Sequence, residues 1–338
     1  MFQPPRCPNR ACTNHLFPAP KFYAHHGSFK PKCRPWSVPR YRCKTCKKTF
    51  SRQTFRMDYR DHRPDLNIRL FRSLASGVGV RQTARNLQLS LSCTELKYRK
   101  IARHLRRQNL NLRGPLPKDS ELVFDELETY ETRRNTRPLS IPILVERKHR
   151  YVIWAEAAPI RPRGKMSKDR KSAVEQENLR FGPRKDTSAR SIARVLKRGA
   201  DLVRNHEKVT LLSDEKSSYP KHARKAFGAA RLVHKKTNSK VARMIWNPLF
   251  PVNHEEAMMR DLLGRLRRES WLVSKKRRYL DLGLHLWMAY RNYVRKRFNR
   301  DTESPAQMLG FVSRRLSFGE ALSWRQDWGK DSIHPLSR

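Results

Sequence analysis

Four cysteines near the start of the chain constrain its fold more than any other feature. They form two pairs, Cys7 with Cys12 and Cys43 with Cys46, separated by a loop of about thirty residues. Two such pairs can place four thiolates around one tetrahedral Zn2+. Small modules of this type often fold only when the metal binds. The spacing therefore predicts a zinc ribbon over residues 1–56, held by a structural Zn2+.

The first cysteine pair leaves an alternative open. Four residues separate Cys7 from Cys12, whereas two are usual in such pairs, so Cys12 is the least secure ligand. A different side chain could take its place. The candidates near enough in sequence are Cys33, His15, His25 and His26.

The charge of the chain favours a polyanionic partner. Seventy-five Lys and Arg residues against thirty Asp and Glu give a formal net charge of +45 and a pI near 11.1. An excess of this size attracts nucleic acid through its phosphates. Residues 1–118 contain only four acids, Asp58, Asp61, Asp65 and Glu95. Carboxylates that bind a metal are therefore expected in the rest of the chain.

The location of the protein is predicted from two absences in the sequence. No apolar run approaches eighteen residues, and the first five residues do not resemble a secretory leader. We therefore expect a soluble cytoplasmic protein, associated with the nucleoid, that does not bind a membrane. In a reducing compartment, six cysteines favour metal ligation over disulfides.

A helix-turn-helix is predicted after the ribbon, over residues 57–113. Apolar residues at helical spacing indicate helices over residues 66–74 and 81–89, and Thr94 is expected to N-cap a third helix. Its basic face would enter the major groove of DNA. The predicted contact residues here are Arg81, Arg85, Lys97, Arg99, Lys100 and Arg103, with Arg106 and Arg107 on the same face. The alternative is a three-helix bundle with a solvated basic face. Gly114 and its neighbouring prolines indicate a linker.

Beyond the linker the pattern indicates an α/β domain. In order it predicts strands over 121–130, 141–145 and 151–155, a mobile loop or insertion over 159–186, a helix over 188–203 and a strand over 209–213. Asp125 is expected to close the first strand, and Asp214 follows the last. Two acids at adjacent strand ends can hold divalent cations of the kind used in phosphodiester chemistry.

These features together resemble a known family. The ribbon, the helix-turn-helix, Phe-Asp-Glu-Leu at 124–127 and Ser-Asp-Glu-Lys-Ser-Ser-Tyr at 213–219 look like DDE-type insertion-sequence transposases of the IS-one group. The resemblance covers roughly residues 5–297 and implies a ribonuclease-H-like mixed-sheet catalytic domain over 119–298. Residues 253–276 look like the family's third catalytic helix. That helix normally carries Val-Glu-Arg-Asn-Asn, a run of Arg and a Ser-Lys, here Ser274-Lys275.

The resemblance also implies the roles of individual residues. Asp125 and Asp214 match the first two metal-binding aspartates, with Mg2+ or Mn2+ as the cofactor. The family glutamate falls on Asn253, whose amide oxygen can ligate Mg2+ without adding charge. Glu256 lies one helical turn away on the same face and is a second possibility for the third ligand, and an inactive site is a third. Arg260, two turns from Asn253, is placed to contact DNA phosphate.

Other residues near these positions are expected to be structural. Glu255 points about 100 degrees away from Asn253 on a helix and is interpreted, with Glu256, as a possible helix-terminal acid. The aromatic stripe of a long helix over 280–298 is predicted to pack in the core. Residues 299–338 are expected to form a tail with one short helix capped by Ser304, docked by Trp324 and Trp328.

The implied function is DNA transposition. The N-terminal domains would bind the terminal inverted repeats of an element, and the α/β domain would cleave a strand and transfer it to target DNA. Double-stranded DNA is then the partner, and a homodimer or larger assembly is expected because two ends must be joined. Two rivals stay open. One is a catalytically inactive transposase-derived DNA-binding protein or regulator, and the other is a structure-selective nuclease.

Overall fold

A computed structural model gives the fold and describes residues 2–32, 35–238, 240–242, 244–267 and 276–323. The predictions that concern Cys33, Ser274, Lys275, Trp324 and Trp328 lie outside these ranges. Within them, no helix combines the length and the apolarity needed to cross a membrane. The protein is mixed α/β, with a cluster of four cysteines at its N-terminus.

The N-terminal module is a small antiparallel sheet beside a short helix. Its elements are α1 (Thr13–Leu16), β1 (Tyr23–Phe29), β2 (Val38–Cys43) and β3 (Thr49–Ser51), followed by a 3-10 turn (Arg52–Phe55). The strands pair in the order β1-β2-β3. Phe22, Phe50 and Phe55 pack with the cysteines into a separate small core. So few apolar side chains bury little surface. Modules of this size often depend on a bound metal for their stability.

Three helices follow the module, as the periodicity predicts. They are α2 (Leu66–Ala75), α3 (Val80–Asn86) and α4 (Leu91–Asn111). The prediction that Thr94 caps the third helix is wrong. Ser90 is the N-cap, and its hydroxyl accepts a hydrogen bond from Cys93 N at 3.2 Å. Thr94 lies one turn further on and donates to the Ser90 carbonyl at 3.0 Å.

The helix α4 is long because it packs along a second helix far away in sequence. Its partner is α10 (Arg277–Ala289). The Tyr98 hydroxyl donates to the Tyr279 carbonyl at 3.1 Å, and Asn109 Nδ2 donates to the His285 carbonyl at 3.1 Å. The segment after α4 is also anchored, because Leu116 N donates to the Leu202 carbonyl at 3.0 Å. One apolar core consequently runs from the three helices into the α/β part.

The central sheet is mixed. Its strands are β4 (Leu122–Tyr130), β5 (Pro138–Glu146), β6 (Val152–Ala155), β7 (Ala158–Pro159), β8 (Val209–Asp214) and β9 (Leu232–Thr237). The spatial order is β6-β5-β4-β8-β9, and β7 pairs with β5. β4 lies antiparallel to β5 and parallel to β8, and β8 lies parallel to β9. The sequence did not predict β9, since only Leu232 and Val233 of its six residues are apolar and His234, Lys235 and Lys236 follow them.

The expectation that Asp125 ends or closes the first strand is wrong. Asp125 is the fourth residue of β4, because Glu126 to Tyr130 continue to pair with β5. Residues 159–186, predicted as a mobile loop or an insertion, contain α5 (Lys168–Phe181). The Ser167 hydroxyl caps α5, and Gly182 ends it at φ 77°. None of the residues of α5 is buried, so the sequence carried no apolar stripe to reveal it.

Helices cover both faces of the sheet. On one face lie α6 (Ser188–Leu202) and α7 (Tyr219–Phe227); on the other, α8 (Phe250–Leu262) packs on β4 and β5 and is followed by α9 (Gly264–Arg267). Gly199 lets α6 approach closely, since a Cβ there would lie 2.4 Å from Leu144 Cδ2. That contact places Leu144, and with it the even-numbered residues of β4, on the α6 face. The odd-numbered residues of β4, including Asp125, therefore face α8.

The C-terminal part packs into the same core. After α10 a π-helical turn (Tyr290–Val294) ends the helix, earlier than the predicted end at residue 298. The aromatic stripe is core, as predicted, with Trp287 and Tyr293 both buried. Ser304 caps α11 (Pro305–Met308), also as predicted, and α12 (Phe318–Ser323) packs against α2.

Candidate functional site

The four cysteines converge on one point. The Sγ atoms of Cys7 and Cys46 are 3.4 Å apart, those of Cys12 and Cys43 are 3.9 Å apart, and all four lie within 4.8 Å of one another. A tetrahedral site with Zn–S bonds of about 2.3 Å requires sulfurs about 3.8 Å apart. These cysteines could therefore hold a structural metal such as zinc. In the described part of the chain, no other cluster of three or more His, Cys, Asp or Glu side chains is close enough to share an ion.

A buried asparagine supports the first cysteine pair. The carbonyl of Asn14 accepts from Cys7 N at 2.9 Å, and its Nδ2 donates to Thr45 Oγ1 at 2.9 Å. The same Nδ2 lies 4.0 Å from Cys12 Sγ. Asn14 thus ties the two halves of the cluster together and accommodates the wide gap between Cys7 and Cys12. The spacing of the cysteines could not reveal this role of Asn14, because the residues that it contacts are distributed over both cysteine pairs.

The alternative ligands do not point at the cluster. His15 Nδ1 is hydrogen-bonded to the Cys7 carbonyl at 2.8 Å, while His25 and His26 are exposed on β1. Burial raises the pKa of Cys7. Burial also acts to raise the pKa of Cys46, but the hydrogen bond from Lys48 N, together with the neighbouring Cys7, outweighs it and lowers that pKa to about 6. Cys46 therefore favours the thiolate form that binds metal.

One predicted DNA contact, Lys97, is wrong. Its side chain is 3% exposed, and its ammonium forms an ion pair with Asp61. It also donates to the Arg63 carbonyl at 2.7 Å and to Asn67 Oδ1 at 3.0 Å. All three ammonium protons have acceptors within the protein. Lys97 therefore fastens α4 to the segment before α2 and cannot reach a phosphate.

The other predicted contacts form a cationic surface on α3 and α4. Arg81 and Arg85 are exposed on α3, and Arg103 is exposed on α4. Arg99 and Lys100 are half-buried, and their side chains donate to backbone carbonyls. Because the opposite side of α4 packs on α10, only this basic side is available to a ligand.

Two aspartates occupy matching positions on neighbouring parallel strands. Leu122 pairs with Leu211 and Val123 with Leu212, and the same register extended two residues beyond the last pair matches Asp125 with Asp214. Registered residues of parallel strands point to the same face, so both side chains face α8. The carboxylate Oδ1 atoms also brace the local backbone, because Glu126 N donates to Asp125 at 2.7 Å and Lys216 N donates to Asp214 at 3.1 Å.

The glutamate next to Asp125 belongs to the opposite face. Glu126 accepts hydrogen bonds from Tyr219 Oη at 2.8 Å and from Lys216 and Ser140. Burial raises the pKa of Tyr219, and so do the negative charges of Glu126, Asp125 and Asp214. Three carboxylates thus act on the Tyr219 hydroxyl, which indicates that negative charge is concentrated where β4 and β8 approach this residue. Such a concentration favours a cation.

The third predicted ligand position lies on α8. Asn253 is half-buried, Glu256 is buried and Arg260 is exposed, and the three share one flank of the helix. The cavity that Pro251 lines is also lined by Glu121, which precedes β4, and Arg265 Nη2 donates to the carbonyl of Tyr130, the last residue of β4. α8 packs on β4 and β5, so it covers the face of the sheet that carries Asp125.

Glu255 is not a helix-terminal acid, which corrects the expectation. It is fully buried and forms two hydrogen bonds with Arg291, at 2.8 and 2.6 Å. Burial would raise the pKa of Glu255, but Arg291 and His254 lower it more, and its pKa lies below the ordinary value. The pair fixes the rotation of α8 and so decides which residues face Asp125. Arg291 lies 36 residues further along the chain, in the π-helical turn, where no sequence pattern could indicate the pairing.

Two histidines near the site are packed. His234 Nε2 is 2.8 Å from Ser213 Oγ, and burial lowers its pKa. His254 lies against Phe250 and Phe298 and contacts Glu255 at 3.2 Å. Both therefore support the strand end and α8 from within the fold.

A scan against protein-family models finds no match, and a search of curated proteins finds no match either. The functional argument consequently rests on the residues themselves.

Proposed function

We propose that the protein is a DNA transposase that cuts and joins strands with a metal-dependent α/β domain. The observation that carries the proposal is the strand register that brings Asp125 and Asp214 to matching positions on the face of the sheet covered by α8. On α8, Asn253, Glu256 and Arg260 share one flank. Two carboxylates, a third oxygen donor and a nearby cation are the groups that phosphodiester chemistry with divalent metals requires.

The sheet supports a ribonuclease-H-like domain. Numbered by their order in the domain, the five main strands lie in the order 3-2-1-4-5, and only the second is antiparallel to the others. Two helices, α5 and α6, lie between the third strand and the fourth, and α7 joins the fourth to the fifth. This arrangement, with an acid in the first strand and another at the end of the fourth, is the one that the resemblance to DDE-type transposases implies.

The residues present fit a Mg2+ or Mn2+ site. Asp125 and Asp214 would supply two carboxylates, and Asn253 or Glu256 a third oxygen. The resemblance favours Asn253, whereas Glu256 would supply a carboxylate from one helical turn further along the same flank. A bound divalent metal would activate water and stabilise the leaving oxygen. Arg260, exposed on the same flank of α8, would hold the DNA phosphate.

The N-terminal part would deliver this chemistry to DNA. The cationic surface of α3 and α4, including Arg81, Arg85 and Arg103, would contact the ends of the element in a helix-turn-helix arrangement. The four-cysteine module would add contacts through its basic turn at Lys44, Lys47 and Lys48. Each phosphate contact adds to the salt dependence of binding.

The test is strand cleavage and joining on oligonucleotides that carry the element's own ends, with Mg2+ or Mn2+. We expect activity in the wild type and none in Asp214→Ala. The comparison of Asn253→Ala with Glu256→Ala then identifies the third ligand as the one whose loss also abolishes activity. If the wild type binds these ends but neither cuts nor joins them, the proposal fails.

One observation favours a second candidate, a DNA-binding regulator without catalysis. No three carboxylates in the described part of the chain are close enough to share an ion, and Asn253 replaces the family glutamate. A regulator would bind DNA tightly, and Asp125→Ala would leave that binding unchanged. Metal ions would produce no cleavage with any substrate.

A further inference from the structure

An exposed apolar loop lies between β9 and α8. Ile245 is 72% exposed and Trp246 71% exposed, and Val241 and Met244 beside them are also open to solvent. A cluster of large apolar side chains on a surface this basic is costly unless it binds something. The loop follows β9 directly and leads into α8, so it borders the flank of the proposed catalytic site.

The exposure of Trp246 is built into the loop. The buried Asn247 donates from Nδ2 to the carbonyls of Ala242 at 2.9 Å and Val241 at 3.3 Å. Its Oδ1 accepts from Leu249 N at 2.8 Å, and its backbone N donates to the Met244 carbonyl at 2.9 Å. These four bonds fold the loop around Asn247 and leave Trp246 on the outside.

A cavity opens between this loop and the β5–β6 hairpin. Its volume is about 460 Å3, within the range of sites that take small ligands. Ile245 and Trp246 contribute apolar and aromatic lining, and Arg147, Lys148 and Arg150 contribute cations. Asp119, Glu121 and Glu146 also line the cavity, but Glu121 is paired with Arg147 and Glu146 with His149. The cavity therefore combines an exposed aromatic ring with cations.

Among the described residues, neither Arg150 nor Lys148 forms an ion pair, and Arg150 is the more buried of the two. Arg147 is paired with Glu121, and the carboxylate of Glu146 accepts from the backbone of Lys148 and His149. Arg150 lies over the Phe250 ring at 5.4 Å and has no ion pair with any described residue. Its Nε and Nη1 atoms are buried without an acceptor, and burial lowers its pKa to about 10. An anion in the cavity would offset that cost.

We propose that this cavity binds an unpaired nucleotide of a nucleic-acid strand. Its base would stack on Trp246 and pack on Ile245, and its phosphate would pair with Arg150 and Lys148. A base within a duplex cannot offer its face to a protruding ring, so the site selects a single strand or a frayed end. The proposal deepens the proposed function by naming the DNA form held beside the acidic site, but binding there requires no catalysis.

The test is fluorescence anisotropy without metal ions, on a blunt duplex and on the same duplex with an unpaired tail. Trp246→Ala should weaken binding of the tailed DNA about tenfold and leave the blunt duplex unchanged, because one stacked base is lost. Arg150→Gln should act in the same direction. Phe181→Ala is the matched control, since Phe181 is 59% exposed on α5, away from the cavity.

Three results would overturn the proposal. The first is an equal loss on both DNAs, and the second is no loss on either. The third is a change in the oligomeric state of Trp246→Ala, by light scattering, with both affinities intact, which would make the loop a contact between copies of the chain. Cleavage by the wild type is measured in a separate assay. The nucleotide site can therefore be refuted while the proposed function is upheld, and the proposed function can be refuted while the nucleotide site is upheld.

Discussion

Removing one partner of the buried ion pair between Glu255 and Arg291 should be among the most destabilising single changes in the protein. Both side chains are 0% exposed and joined by two hydrogen bonds. Arg291 also donates to the carbonyls of Lys296 at 3.1 Å and Arg297 at 3.0 Å. In Arg291→Leu, the Glu255 carboxylate would lose its main partner and two carbonyls would lose their donors.

The size of the effect follows from that loss. Breaking a buried pair by removing one member costs about 3–5 kcal/mol, because the remaining charge is left without compensation. Total stabilities of domains are about 5–15 kcal/mol, so the change removes a large share. Replacing both members by leucine should restore part of the stability, since no unpaired charge remains. Urea unfolding followed by circular dichroism measures all three variants.

The pH dependence gives a second readout of the same pair. The folded-state pKa of Glu255 lies below its ordinary value, so the stabilisation is complete above the ordinary pKa. It is lost as the pH falls below the ordinary pKa toward the folded one, and the double-leucine variant should lack this component. The matched control is Arg314→Leu, which breaks an exposed pair with Glu320 and should change stability little. A loss in Arg291→Leu as small as that of the control would refute the reasoning.

Three further predictions follow from the same structure. Lys97→Ala should lower the free energy of unfolding by about 3 kcal/mol, whereas Arg103→Ala should lower DNA affinity and its salt dependence without affecting unfolding; equal behaviour of the two variants would contradict the assigned roles. Purified protein should contain one zinc per chain by atomic absorption, and Cys43→Ser should lose it and melt the N-terminal module in near-ultraviolet circular dichroism; an unchanged metal content would exclude the four-cysteine site. Burial lowers the pKa of His104 to about 4 and of His285 to about 3, against an ordinary value of 6.5. Stability should therefore be present above pH 6.5 and fall between pH 6.5 and about 4 as the unfolded state takes up protons, and His104→Gln should flatten that part of the urea-denaturation profile.

The sequence predicted the cysteine cluster and the helix order because both depend on short-range patterns. The spacing of Cys43 and Cys46 is local, and the apolar periodicity of α2 and α4 records which side of each helix is buried. The strands β4, β5, β6 and β8 were predicted for the same reason. Each contains a run of apolar residues, which can be recognised in the sequence without knowledge of its tertiary contacts.

What the sequence could not predict depends on contacts between distant residues. Lys97 looked like a surface cation because its partner Asp61 lies 36 residues earlier. Glu255 looked like a helix-terminal acid because Arg291 lies 36 residues later. Asp125 was placed at a strand end because the apolar run stops there and acids follow, yet pairing with β5 continues to Tyr130. In each case, the local sequence around a charged residue indicated one environment, and a contact with a distant part of the chain produced another.

The most direct test of the central claim compares two acids on the same strand in the strand-cleavage and joining assay. Asp125 faces α8 beside Asp214, whereas Glu128 is exposed three residues further on and points to the other face. We predict that Asp125→Asn abolishes Mg2+-dependent cleavage while keeping DNA affinity, and that Glu128→Gln cleaves like the wild type. Cleavage by Asp125→Asn at the wild-type rate would contradict the assignment of a metal-dependent site to this face of the sheet.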